Sequence, residues 1–152
     1  KTTRLFPYIN NGKEYPAKYD RRHDLSVVLT YDLSKKWQFG AVFVYATGDA
    51  TTLPISQFFI EGRIINEYGE RNSFRLAPYH RADISVTYHF PNKGKKWNSS
   101  LNFSIYNLYN RMNPYFIYFD TEVDLAKYSI TTTAKQVSLF SILPSVTYNF
   151  SF

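Results

Sequence analysis

Cysteine is absent from the 152 residues, which excludes a disulfide framework and any thiolate-based zinc or iron–sulfur site. Glycine occurs only six times, and no glycine-rich phosphate-binding loop is present. Long apolar runs are missing too. The longest, Ala41 to Ala46, falls far short of the roughly 18 residues a membrane-crossing helix requires. No charged segment followed by an apolar stretch opens the chain, so no signal peptide is expected. Charged residues make up 20% of the chain and the mean hydropathy is −0.36, values that suit a water-soluble protein. A membrane β-barrel also scores low, because only every second residue of its strands meets lipid.

Aromatic residues are abundant, with 14 Tyr, 13 Phe and 2 Trp making 19% of the chain, a load that argues against disorder. The length suits one domain, and 18 basic against 12 acidic residues leave a net charge of +6.

Alternation is the dominant pattern. From Trp97 the odd positions are Trp97, Ser99, Leu101, Phe103, Ile105, Asn107 and Tyr109, against Asn98, Ser100, Asn102 and Ser104. Side chains on a strand point alternately to opposite faces, so this is one mainly apolar face backed by one hydroxyl and amide face. Tyr79–Phe90 sets Ala82, Ile84, Val86, Tyr88 and Phe90 against Arg81, Asp83, Ser85, Thr87 and His89. His23–Leu33 and Trp37–Thr47 repeat the apolar row, and the last stretch aligns Phe140, Ile142, Val146, Tyr148, Phe150 and Phe152. The reading is all-β, with about five antiparallel strands.

The connections alternate as well. Leu33–Lys36 and Pro91–Lys96 are short and polar, whereas Gly48–Pro78 and roughly Asp120–Thr133 are long. Outer-membrane barrels have short turns on the periplasmic side and long loops outside. With Phe152 periplasmic, Lys1–Asp20 is then expected to be an extracellular loop, and part of Gly48–Pro78 a hairpin or cap facing ligand or partner. The aromatics sort by height. Tyr31, Trp37, Phe39, Tyr88, Phe90, Trp97, Tyr148 and Phe150 lie near the short turns, and Tyr45, Tyr109 and Phe140 about ten residues away, as two membrane–water interfaces require. A soluble β-sandwich alternates too, but normally carries Lys and Glu on its wet face, where this chain has Ser, Thr and Asn. Five strands cannot close a barrel, so residues 1–152 read as the C-terminal part of a larger one.

Four separated motifs carry a family resemblance. Tyr19-Asp20-Arg21-Arg22-His23-Asp24, Tyr45-Ala46-Thr47-Gly48-Asp49-Ala50 with Thr52-Leu53-Pro54, Tyr106-Asn107-Leu108-Tyr109-Asn110-Arg111-Met112-Asn113-Pro114-Tyr115, and the ending Leu139 to Phe152 resemble the closing region of TonB-dependent outer-membrane receptors. The subgroup resembled is the one with a carboxypeptidase-regulatory-like N-terminal domain. The resemblance implies a barrel of about 22 strands around a plug, and energised import of a scarce ligand such as an iron chelate, cofactor, glycan or peptide. The partners it implies are the lipid bilayer of the bacterial outer membrane, the remaining barrel and its plug, the barrel-assembly machinery, a TonB-type energy-coupling protein, and optionally a surface lipoprotein. A passive pore or secretion channel is the rival reading, and a soluble carbohydrate-binding module a more distant one.

Two groups of side chains stand out. Val146, Tyr148, Phe150 and Phe152 fit the terminal signal that, in proteins this chain resembles, the assembly machinery reads by edge-strand addition. Arg22 and Asp24, with Arg81 and Asp83, face the polar side near the long-loop end and are expected to form a lattice of lumen charges. No catalytic residue, metal site or cofactor is expected. By parity His23 and His80 lie on the outer face near the long-loop end and His89 on the inner face near the short turns, so the three cannot converge on one metal. Asp120, Glu122 and Asp124 lack the glycine of a calcium loop and place Thr131 at its twelfth position. Asn98-Ser99-Ser100 matches a glycosylation sequon only by chance on a strand. Lys93, Lys95 and Lys96 gather in one turn without interleaved aromatics, which fits lipid headgroups and not nucleic acid.

Overall fold

The computed structural model describes residues 1–61, 63–91, 94, 97–124 and 129–152. Among these residues every regular element is a strand apart from a single 3-10 turn at Asn10–Gly12. In chain order the strands are β1 (Thr3–Arg4), β2 (Tyr15–Pro16), β3 (Asp24–Asp32), β4 (Trp37–Ala46), β5 (Ala50–Thr51), β6 (Pro54–Ile60) and β7 (Arg63–Tyr68). They continue with β8 (Phe74–Arg75), β9 (Tyr79–His89), β10 (Asn98–Tyr106), β11 (Phe116–Asp124), β12 (Ser129–Val137) and β13 (Leu143–Ser151).

The chain divides into two compact units, Lys1–Asp24 with Ala46–Tyr79, and Leu25–Tyr45 with His80–Phe152. The second is built on a five-stranded sheet in the order β13-β10-β9-β4-β3. Each strand lies beside its sequence neighbours among these five, the simplest outcome of antiparallel strands joined alternately at two ends. The five alternating stretches of the sequence are these five strands, with their ends trimmed. β13 starts at Leu143, so Phe140 precedes it. The sheet is open, and β3 and β13 are its edges.

Two sequence expectations are corrected here. Pro144 lacks an amide donor, so the sequence predicts a break in the ladder there, with pairing most regular between Ser145 and Phe152. Pro144 does not interrupt the last strand. It pairs with Ile105 inside a register that runs unbroken from Tyr106↔Leu143 to Asn98↔Ser151. An edge strand tolerates proline, because one side of its ladder has no partner in this sheet. Nor is Asp120–Thr133 an irregular loop. β11 and β12 form a long antiparallel hairpin from Phe116↔Val137 to Asp124↔Ser129. Its β-branched and aromatic residues favour strand, but aromatic and charged positions share one face and Thr occurs on both, which hides the alternation. Asp120 is ion-paired with Lys135 across this hairpin, and Glu122 is exposed. The side chain of Asp124 and the turn lysines Lys93, Lys95 and Lys96 lie outside the described residues.

The first unit is not a plain loop. β1 pairs with β2, β5 with β8, and β6 with β7. Its small core is Tyr15, Ala17, Ala46 and Ala50, and its buried charge is Asp20, 1% exposed. The Thr2 amide and the Arg75 guanidinium both donate to the Asp20 carboxylate, the latter at 2.7 Å. Arg75 also donates to the Gly48 carbonyl at 2.8 Å. Gly48 lies so close to the Leu76 carbonyl that any Cβ there would collide with it. Asn10 and Arg71 exchange two hydrogen bonds, Arg71 N to Asn10 Oδ1 at 2.7 Å and Asn10 Nδ2 to Arg71 O at 3.1 Å. Asn72 donates to the Pro16 carbonyl at 2.8 Å. The N-terminal segment and residues 46–79 are thus stitched together through backbone groups.

Candidate functional site

Register fixes which side chains share a face. Opposed residues lie on the same face of an antiparallel pair, so β9, β10 and β13 can be read in rows. Val86–Phe103–Val146, Tyr88–Leu101–Tyr148 and Ile84–Ile105–Pro144 are apolar rows. Between them fall Thr87–Asn102–Thr147, Ser85–Ser104–Ser145 and His89–Ser100–Asn149. The first set makes one apolar face, and the second makes a face of hydroxyls and amides, joined by His89 at the short-turn end and, by strand parity, by Arg81 and Asp83 toward the other end.

The polar face is internally bonded. Asn102 Nδ2 donates to Thr87 Oγ1 at 2.7 Å, and the Ser104 and Ser145 hydroxyls are 2.7 Å apart. At the short-turn end of the sheet a shallow cavity of about 230 Å³ is lined by His89, Asn98, Ser99, Ser100, Asn149, Phe150 and Ser151. Such a surface offers donors and acceptors in equal measure to a polar, hydrated neighbour. Among the described residues no group of three or more His, Asp or Glu gathers to hold a metal ion.

On the apolar face the aromatic rings near the short turns touch in sequence. Trp37 packs on Tyr88 at 4.8 Å, Tyr88 on Phe90 at 5.1 Å, and Phe90 on Tyr148 at 6.4 Å. Tyr148, Phe150 and Phe152 then stack at 6.4 Å intervals. Val146 heads the same row and is exposed, as are Tyr31, Phe39 and Trp97. Toward the other end Tyr45 stacks on His80, whose Nδ1 is 2.7 Å from the Tyr109 hydroxyl. Phe140 does not join that group. It lies before β13, with its ring edge-on to Tyr106 at 6.1 Å.

The four residues expected to form a charge lattice are placed as follows. Arg81 Nε lies 2.9 Å from Asp83 Oδ1, and its guanidinium covers the Tyr106 ring at 4.0 Å. Asp24 pairs with Arg21 at 3.8 Å, and Arg21 also holds Asp49 at 3.1 Å. Arg22 is anchored through its backbone, donating to Thr47 Oγ1 at 2.7 Å. Arg81 and Asp83 are therefore brought together, whereas Asp24 pairs with the residue next to Arg22.

Sequence reasoning passed over the asparagines. Asn107, wholly buried at φ 55°, donates to the carbonyls of Arg111 at 2.9 Å and Phe140 at 3.2 Å, and accepts the Arg111 amide at 3.0 Å. Asn110 accepts the Ile142 amide at 2.9 Å. Asn113 exchanges two bonds with the His80 backbone, at 3.0 and 2.9 Å. Three asparagines at spacings of three were the signal, since Asn tolerates positive φ and bonds its neighbours' backbone. Together they fasten the ends of β9 and β10 and the approach to β13.

Comparison of the chain with family models, with curated proteins and with solved structures returned no match.

Proposed function

We propose that this chain is the C-terminal wall of a TonB-dependent transporter of the bacterial outer membrane, a protein that imports a scarce ligand and does no chemistry on it. One observation carries the reading. Across β9, β10 and β13 the strand register segregates apolar rows from rows made mainly of Ser, Thr and Asn, and contacting aromatic rings rim the apolar face. A face of that kind suits hydrocarbon, and the opposite one suits a hydrated lumen. An open sheet with two edges has no stable place in lipid, so further strands of the same polypeptide complete the barrel and a plug fills it. In this arrangement the short turns are periplasmic, and Lys1–Asp20 and Gly48–Pro78 are extracellular. The barrel remainder, the plug, the assembly machinery and a periplasmic coupling protein are the partners, with a surface lipoprotein as a further one.

The test is transport by the full-length polypeptide in cells with and without the coupling protein. Uptake of the ligand that depends on the coupling protein supports an energised transporter. Uptake indifferent to it, in a protein with no plug sequence upstream of Lys1, supports the rival reading of a passive pore.

A further inference from the structure

The connection between β3 and β4 is a two-residue tip with a defined build. Ser34 and Trp37 close it through backbone bonds in both directions, each at 3.3 Å. The Ser34 hydroxyl accepts the amides of Lys36 and Trp37, both at 3.2 Å. Neither Lys35 nor Lys36 is among the residues with positive φ, so the tip needs no Gly or Asn and is free to carry long side chains. It carries two lysines, both exposed. The Lys36 carbonyl accepts the His89 amide at 2.8 Å, which fixes the tip to the neighbouring strand.

The two short connections carry charge of one sign in sequence. Among the described residues neither Lys35 nor Lys36 forms an ion pair. The nearby acid, Asp32, accepts Gln38 Nε2 at 2.8 Å, and by strand parity it belongs to the polar face, opposite to Trp37. In sequence the other short connection, Pro91–Lys96, adds three lysines and no acid. The first unit, by contrast, mixes both signs. Directly beside the tip, Trp37 begins the line of touching rings that runs through Tyr88 and Phe90 to Tyr148. Aromatic rings of this kind settle at headgroup level, and an adjacent lysine then meets the phosphate layer.

We infer that the Lys35–Lys36 tip, with Trp37 beneath it, is a binding site for the phosphodiester of an anionic phospholipid in the leaflet at the short-turn end. This rests on the barrel reading above. The lysines supply charge and donors, the tryptophan packs on the glycerol and upper acyl region, and the Ser34-closed turn holds them in place. A zwitterionic lipid offers the same phosphate but cancels it with its own cation, so the site discriminates by net headgroup charge.

Fluorescence quenching tests it. The full-length polypeptide is reconstituted with brominated phosphatidylglycerol or brominated phosphatidylcholine, and the Trp37 signal is isolated by subtracting that of the Trp37→Phe variant. At about fivefold per lysine, the expected preference for the anionic lipid is roughly 25-fold. It should fall about fivefold in Lys35→Gln or Lys36→Gln, vanish in the double variant, and weaken with added salt. Absence of a preference, or a preference that the double variant retains, overturns the inference. So does a preference removed by inorganic phosphate but not by chloride at equal ionic strength, which would assign the tip to a free anion. Insertion into the bilayer is scored in the same samples by heat-modifiable mobility. A polypeptide that does not insert overturns the barrel reading and this inference together, whereas one that inserts without lipid preference overturns this inference alone.

Discussion

Asp83 Oδ1 accepts the backbone amide of Asn107 at 2.9 Å while standing 2.9 Å from Arg81 Nε. One carboxylate therefore ties a charged side chain on β9 to the first residue beyond β10, where the chain leaves the sheet. Asn107 completes the corner with its own side chain, which bonds the backbone of Arg111 and Phe140.

Truncating that side chain, itself fully buried, would leave two carbonyls and one amide without their partner. At about 1–3 kcal/mol for a buried group left unpaired, Asn107→Ala should destabilise the sheet unit by about 3 kcal/mol or more. Asn107→Gly should cost about 1 kcal/mol less, because glycine adopts φ 55° without strain. Urea-induced unfolding of the detergent-solubilised full-length protein would give both values. Equal losses in the two variants would mean that backbone conformation contributes nothing at this corner.

The Asp20 carboxyl is held below the usual carboxylate range, first by the Thr2 amide and next by Arg75, both of which favour its charged form. A native value depressed below the unfolded one of about 3.9 gives stability that is fully present above that pH. It is lost as pH falls through the native value. Limited proteolysis within residues 1–24 and 46–79 should accordingly show resistance constant from neutral pH down to about pH 5 and declining below about pH 4. In Asp20→Asn resistance should be lower at neutral pH and flatter with acid. A wild-type profile as flat with acid as that of the variant would exclude this carboxylate as the clasp.

The β6–β7 hairpin presents Ile55, Phe58, Ile60, Ile65 and Tyr68 to solvent, an apolar content unusual for a solvated connection. Replacing residues 54–68 by a short flexible linker keeps Arg75 on Asp20 and Asn72 on Pro16. It should abolish ligand uptake or partner docking while heat-modifiable mobility persists. Uptake at the wild-type rate would remove the hairpin from the mechanism.

Phe152 ends the line of stacked rings and is 99% exposed. Its loss removes one ring contact, so stability of the inserted barrel should change little. A terminal aromatic anchor can nonetheless dominate recognition of a short strand. Deleting Phe152 should lower the amount in the outer membrane severalfold, with the inserted molecules still active. Normal membrane levels would reduce Val146, Tyr148, Phe150 and Phe152 to wall.

What the sequence made legible is tied to period. Alternation with period two located β3, β4, β9, β10 and β13 because one face of each is a nearly unbroken apolar row, and on β9, β10 and β13 that row is backed by hydroxyls and amides. The β11–β12 hairpin escaped notice because its faces are mixed, with Asp120 and Lys135 set among aromatics and threonines. In the first unit Lys1–Asp20 reads as a loop and Gly48–Pro78 as a long connection that is hairpin only in part, because the rest of its order comes from long-range bonds to backbone groups, such as Arg75 to Asp20 and Gly48, which leave no local periodicity. Charge partners follow the same logic. Parity placed Arg81 beside Asp83, but nothing local could tell whether Arg21 or Arg22 would take Asp24.

The claim that the alternating rows are a lipid-facing wall is tested most directly by fractionation. Antibody against this chain should recover the full-length polypeptide from the outer-membrane fraction only with detergent, and its gel mobility should shift on boiling. A nitroxide label carried on a cysteine at Phe103 should then be relaxed by lipid-soluble oxygen and shielded from a water-soluble nickel reagent, and one at Ser104 should do the reverse. Recovery in the soluble fraction with both positions open to the water-soluble reagent would contradict the account.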